Sequence, residues 1–165
     1  MLISDRHREL YRCHFETRAA GGKPSRWQHL VESLADRFDA KSVIDYGCAI
    51  DASLSRFSSL PIVNYDPSVS DYSDLPDRAD MVVCLHVLEH VEAECIDHVL
   101  EHLGSLAKKA IFIAVSTEES TKLLPDGSPW HSFVRDADWW RAKLVGFIEQ
   151  PAMDERKEYV ALLTC

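Results

Sequence analysis

Between His86 and His102 the chain reads HVLEHVEAECIDHVLEH, and the pentapeptide HVLEH occurs in it twice, at positions 86–90 and 98–102. Imidazole titrates near neutral pH and ligates borderline metals, so such a segment could act as a general base or as a ligand set. Two histidines and a glutamate at H-x-x-E-H spacing ligate zinc when all three share one helix. The first copy does not meet that condition. It runs straight out of the apolar stretch Met81–Leu85, which places His86 near the C-terminal edge of a strand. The second copy lies in a helical stretch, about residues 92–107, where Val91, Cys95, Val99 and Leu103 recur at every fourth position. The same letters thus occupy two different structures, and no true repeat is inferred. Cys95, His98 and His102 share one side of that helix, but no fourth ligand accompanies them. Cys95 therefore reads as core, the two histidines as surface residues, and no metal ligand set is expected.

What must hold His86 in place is a sheet. Residues 42–47, 62–66, 81–85 and 110–115 are short apolar, β-branched runs without alternation, the pattern of strands buried on both faces. Helical stretches interleave with them. One is polar, residues 4–18, ended by the Gly21-Gly22-Lys23-Pro24 run. Another spans residues 25–38, with Trp27, Leu30, Val31, Leu34 and Phe38 on one face and Ser25-Arg26-Trp27-Gln28 in the S-x-x-Q form of a capping box. This order predicts an α/β fold, a doubly wound and mostly parallel sheet with helices on both faces. Residues 145–150 and 159–164 predict a closing antiparallel pair, and residues 154–158 a solvated turn between them. The connection from Pro67 to Asp80 is too short for a further helix and strand, so the sheet is expected to be trimmed. The chain reads as a single domain, residues 1–165, with an N-terminal helical segment to about residue 40 and an α/β core from 41 onward.

Ligands of an open parallel sheet bind beyond the carboxyl ends of its strands. Three such ends carry polar residues here: Asp45-Tyr46-Gly47-Cys48, Asn64-Tyr65-Asp66-Pro67, and Leu85 with His86 to His90. A glycine after a strand lets the backbone approach a ligand, and a carboxylate ending the second strand suits ribose hydroxyls. Cys48 and Cys84 read as buried small hydrophobes. Trp130, Trp139 and Trp140 could wall an acceptor or simply pack, and His131 follows a Pro-Asp-Gly-Ser-Pro turn.

Val43-Ile44-Asp45-Tyr46-Gly47-Cys48 resembles motif I, V-L-D-x-G-C-G-x-G, of the class I, Rossmann-like S-adenosylmethionine-dependent methyltransferases. Tyr65-Asp66-Pro67-Ser68 is similar to their acidic second-strand end, and Asp71-Tyr72-Ser73-Asp74-Leu75-Pro76 to their D-A-x-x-L-P segment. Ala79 to Cys84 with Val87-Leu88-Glu89-His90-Val91 resembles F-D-x-V-x-x-x-x-V-L-E-H-V, a fourth-strand motif of small-molecule methyltransferases. The likeness spans about residues 40–117, and Leu124 to Gly127 with Trp130-His131 is more loosely similar to small bacterial and phage members. It implies S-adenosylmethionine as cofactor, with Asp45, Gly47 and Cys48 along the methionine side and Asp66 on the ribose hydroxyls. Asp71 and Tyr72 would meet the adenine edge, and Leu85 and His86 the sulfonium. His86, His90 or His131 would supply a base where the acceptor needs one. The chain departs from the pattern at Ala49-Ile50-Asp51, where motif I continues G-x-G. Two glycines are replaced, and Asp51 would crowd the cofactor's carboxylate.

A net charge of −9 argues against a general nucleic-acid or anionic-membrane partner. No apolar run approaches the roughly 18 residues of a membrane span, and MLISDRHREL is charged too early for a secretory signal. Five scattered cysteines suit a reduced, cytoplasmic protein. No N-P-P-Y or Pro-Cys pair points to a DNA base as acceptor. The expected function is methyl transfer from S-adenosylmethionine to a small-molecule or glycan-type acceptor. The alternatives are a catalytically inactive methyltransferase-like interaction module and, less favoured, a zinc-dependent hydrolase using the histidines of residues 86–102.

Overall fold

The apolar runs fold as strands β1 (Val43–Tyr46), β2 (Ile62–Tyr65), β3 (Ala79–Leu85) and β4 (Ala107–Ser116), followed by β5 (Ile148–Glu149) and β6 (Glu158–Thr164). The structure is a computed structural model and describes residues 1–17, 23, 25–150 and 157–165. The strands form one six-stranded sheet in the order β2-β1-β3-β4-β6-β5. The first four are parallel, while β6 runs antiparallel to both β4 and β5. The predicted doubly wound, mostly parallel architecture with an antiparallel close is therefore present. The helices are α1 (Asp5–Glu16), α2 (Gln28–Arg37), α3 (Ser53–Phe57), α4 (Ile96–Leu106) and α5 (Ala137–Lys143).

Alternate side chains of the central strands go to opposite layers. Val43, Met81, Val83 and Phe112 pack with Trp27, Val31 and Leu34 on the α2 side. Ile44, Val82, Ile111 and Ile113 pack with Val99 and Leu103 of α4 and Trp140 of α5 on the other. Both faces are covered, which is why these segments show no polar alternation. Each fully buried aliphatic side chain contributes roughly 1.5–3 kcal/mol.

Four expectations need correction or restriction. β2 is an edge strand, with Val63 half exposed, because the link to β3 holds only a 3₁₀ turn, Ser70–Tyr72, and lays no strand beside it. The S-x-x-Q segment does not form a capping box. Ser25 Oγ accepts from Trp27 N at 3.2 Å, while the Gln28 amide donates to Glu32 and to the Phe57 carbonyl, so α2 starts later, at Gln28. Glu158 is buried rather than solvated, since it opens β6 opposite Ser116 of β4. Most of the Gly21 to Pro24 run and residues 154–156 lie outside the described residues.

α1 adds a further layer over the C-terminal edge of the sheet. Its cap, Ser4, accepts from His7 N at 3.1 Å and is itself held by Glu92, through its amide at 2.8 Å and its hydroxyl at 2.6 Å. His7, Tyr11 and Phe15, four apart, form the buried stripe of a helix that is otherwise polar.

The loop after β1 is where the backbone is strained. Gly47 has φ +77°, and a Cβ there would stand 2.4 Å from Val87 Cγ2. Ala49 and Ala52 adopt φ +51° and +43°, a left-handed conformation that costs an L residue roughly 1–2 kcal/mol. The loop nevertheless keeps its anchors: Gly47 N donates to Tyr65 O at 2.7 Å and Ala49 N to Asp66 Oδ2 at 3.1 Å. Ala49→Gly should therefore stabilise the protein by about 0.5–1 kcal/mol after the entropic cost of glycine, a rise of about 2 °C in melting temperature. Gly47→Ala should lower stability by at least about 2 kcal/mol. Calorimetric melts of both variants check this, and a fall for Ala49→Gly would contradict the left-handed assignment.

Candidate functional site

The C-terminal ends of β1, β2 and β3 converge beneath α1 on a cavity of about 150 Å³. Gly47, Ala49, Asp66, Ser68 and Val87 form its strand side, His86 and His90 one wall, and Tyr11, Phe15 and Trp130 its aromatic roof. Trp130 stacks within 4.3 Å of His14 and 5.0 Å of Tyr11, measured between ring centroids. Of the three tryptophans, it alone lines this cavity. Trp139 and Trp140 pack edge-on against each other and Phe133, with Trp140 in the core beneath α5.

Asp66 ends β2 as a buried carboxylate. It accepts from Ala49 N at 3.1 Å and from Ser68 N at 2.9 Å, so burial raises its pKa while the two amides oppose the rise. Asp45 points to the other layer, into a hollow shared with Arg26, Trp27, Ser53, Leu85 and His86. Burial, with the charge of Asp66, pushes Asp45 up to about 7. Two backbone donors favour the charged form of Asp66 against its burial, whereas Asp45, which has no such donors among the described residues, is pushed toward its neutral form. Cys48 and Cys84 are buried thiols whose pKa burial raises, which makes them inert.

His86 leaves β3 in the left-handed region, φ +57°, with its amide on Ala114 O at 2.7 Å. Arg26 donates to its Nε2 at 2.7 Å, and its Nδ1 donates to Glu89 Oε1 at 3.2 Å. Arg26 is also ion-paired with Glu158, whose Oε1 lies 3.5 Å from His86 Nε2. Neither Arg26 nor Glu158 was predicted from the sequence. Glu89 is fully buried in the 3₁₀ turn Leu88–His90 and also accepts from Ser116 N at 3.2 Å. Burial works against its charge, but the His86 hydrogen bond and the adjacent His90 hold its carboxyl below the usual range.

His90 donates from Nδ1 to Trp130 O at 2.8 Å, since a carbonyl only accepts, and burial lowers its pKa toward the neutral form. Tyr11 OH reaches the same carbonyl at 2.7 Å, and His7 Nε2 holds His90 O at 2.8 Å, so α1 is fastened to this wall. His131 donates from Nδ1 to Glu118 O at 2.7 Å, and its ring lies 4.9 Å from that of His90. Of the predicted bases, His86 and His90 therefore line the cavity, while His131 packs against His90 outside its lining.

Other predicted residues are placed differently. Leu85 and Cys48 line the Asp45 hollow rather than the main cavity. Asp71 is exposed on the Ser70–Tyr72 turn, and Tyr72 acts through its carbonyl, which accepts from Asp66 N at 2.9 Å; neither lines the cavity. Asp51 lines neither space. His98 is exposed, as expected of a surface residue. His102 is not: its Nδ1 lies 3.0 Å from Tyr46 OH, half buried at the edge of the Tyr46–Tyr65 pair, because the sheet narrows beside α4 at edge strand β2.

Residues 19–147 match a family model described as a methyltransferase domain. Among curated proteins no sequence matches. Among solved structures, magnesium protoporphyrin IX methyltransferase from Synechocystis PCC 6803 with bound SAM is similar at 15% identity and TM-score 0.58, over 96% of each chain. The methyltransferase domain of bacterial CtHen1 is similar at 17% identity and TM-score 0.57, over 84% of this chain and 98% of that one. The N-methyltransferase NodS from Bradyrhizobium japonicum WM9, in complex with S-adenosyl-L-homocysteine, is similar at 12% identity and TM-score 0.54, over 94% and 98%. Neighbours this distant share the fold, and the family match spans well over half of the sequence. With the site built at the ends of β1, β2 and β3, the chain belongs to the methyltransferase-domain family and has its class I, Rossmann-like fold.

Proposed function

We propose that the protein transfers a methyl group from S-adenosylmethionine to a small-molecule or glycan-type acceptor. The observation that carries this reading is the cavity at the three strand ends, with the buried carboxyl of Asp66 and the left-handed Gly47 on its strand side. The residues fit the cofactor on two counts. A side chain at Gly47 would stand against Val87, and Ala49, where motif I has a glycine, has a left-handed φ of +51° that glycine adopts readily. Asp66, whose two amide donors favour its charge, also complements a ligand that carries a sulfonium and an ammonium.

Asp66 would hold the ribose hydroxyls through the lone pairs its two amide donors leave open. Asp45, Gly47 and Cys48 would follow the methionine portion, Leu85 and His86 the sulfonium, and Asp71 with Tyr72 the outer, adenine edge. The cofactor supplies an activated methyl group, so the chain's tasks are alignment and exclusion of water. A base, where the acceptor needs one, would come from His90, which lines the cavity, because Arg26 already occupies His86 Nε2. The roof of Tyr11, Phe15 and Trp130 offers aromatic faces to an apolar or sugar-ring acceptor. The cavity and the Asp45 hollow share Gly47 and His86, so the cofactor would extend across both. No helix among the described residues is long and apolar enough to cross a membrane, and the acidic balance disfavours a nucleic-acid acceptor.

Calorimetric titration of S-adenosylhomocysteine into the purified protein should show micromolar binding, weakened at least tenfold by Asp66→Ala. A well-folded protein that binds nothing at millimolar ligand would favour the inactive interaction module instead.

Asp45 makes stability pH-dependent in a definite sense. Its carboxyl ionises near 3.8 when unfolded and at about 7 when folded, so the folded state holds the extra proton between those values. Stability on this account is highest below about pH 4 and falls as pH rises to about 7, where the penalty, on the order of a few kcal/mol, is complete. Asp45→Asn should therefore melt above the wild type at pH 8, by a margin that narrows toward pH 5. A margin independent of pH would mean that folding leaves the Asp45 pKa unchanged.

A further inference from the structure

We propose that Glu89, His90 and His131 hold one divalent transition-metal ion at the wall of the cavity. One carboxylate oxygen of Glu89 and one ring nitrogen of each histidine lie within 4.8 Å of one another. The hydrogen bonds decide which atoms remain available. Glu89 Oε1 is engaged by His86 Nδ1 and Ser116 N, whereas Oε2 is buried without a partner in a residue that is 0% exposed. His90 and His131 each commit Nδ1 to a backbone carbonyl, Trp130 O and Glu118 O, which fixes the proton there and leaves Nε2 as the free lone pair. Imidazole ligands are oriented in this way when the far nitrogen binds a metal.

The ligand chemistry narrows the ion. Two imidazoles and one carboxylate suit Zn²⁺, Fe²⁺, Co²⁺ or Mn²⁺ with open positions, and suit Mg²⁺ or Ca²⁺ poorly. Ligand atoms around such an ion stand about 3–3.5 Å apart, so the set needs only a small closure, which half-exposed His131 can supply. The grouping is not the helical zinc motif that H-x-x-E-H suggests. His86 serves to orient Glu89, and the third ligand comes from a loop some forty residues later in the chain. Of the three, His90 lines the cavity; with its Nε2 on the ion, the base for the proposed transfer would be ion-bound hydroxide in place of the imidazole itself.

The test does not depend on methyl transfer. Dialysed wild-type protein is titrated with Co²⁺ and with Zn²⁺, following the visible absorption of bound Co²⁺ and metal content by mass spectrometry. One equivalent should bind, and His131→Ala, checked for folding by circular dichroism and melting, should lose roughly a hundredfold in affinity or more. His98→Ala, an exposed histidine on α4, should bind as the wild type does. Absence of binding at micromolar metal by folded wild type, binding that survives His131→Ala, or an equal loss in His98→Ala would each overturn the assignment.

Discussion

The buried carboxylate of Glu89 is the constraint around which the functional end of this molecule is arranged. A charge taken out of water is tolerated only if hydrogen bonds replace its hydration, and removing one partner of such a group costs several kcal/mol. Glu89 obtains a donor from the end of β3 through His86 and from the end of β4 through Ser116 N, while its own carbonyl accepts from Phe133 N at 3.0 Å. Three segments distant in sequence are thereby fixed relative to one another. His86 extends the network to Arg26, before α2, and to Glu158 at the start of β6. The left-handed backbone at His86 follows from this arrangement: the turn directs its ring back toward both carboxylates.

The second carboxylate pair works by contrast. Asp45 and Asp66 end neighbouring strands, and both are buried, so they cannot both ionise cheaply. Backbone geometry resolves the conflict. The left-handed Ala49 turns its amide onto Asp66, and Ser68 adds a second, whereas Asp45 in mid-sheet receives neither. The left-handed turn of the loop after β1 is thus what supplies one of the two amides that favour the charged form of Asp66. Ala49, where the motif has a glycine, holds its left-handed φ of +51° at a conformational cost.

Much of the scaffold was legible in the sequence because the central strands are buried on both faces. Continuous apolar runs ending in Gly47, Asp66 and His86 need no tertiary information to be recognised as strands that deliver polar residues to one edge. The remainder depended on contacts that no local pattern carries. Gln28 has the type and spacing for a capping box, yet Glu32 and the Phe57 carbonyl claim its amide. Glu158 sits in a run of charges that reads as a solvated turn, and only its pairing opposite Ser116 draws it inside. The roof was partly visible: residues 7, 11 and 15 are four apart, but arginines and glutamates between them hide a stripe that includes a histidine and a tyrosine.

The doubled HVLEH shows how little a short motif says without its surroundings. In the second copy Glu101 is exposed, and His102 does no more than cover the edge of two tyrosines. In the first copy, the same glutamate position is fully buried and satisfied on one oxygen only. The difference arises upstream. MVVCL forces the first copy out of a central strand, so its turn faces the strand ends, whereas CID launches the second along a helix whose apolar stripe is already occupied by Val99 and Leu103. The surroundings of the first copy are therefore set by the strand that precedes the motif and by the loop after β4, which brings the His131 ring within 4.9 Å of that of His90.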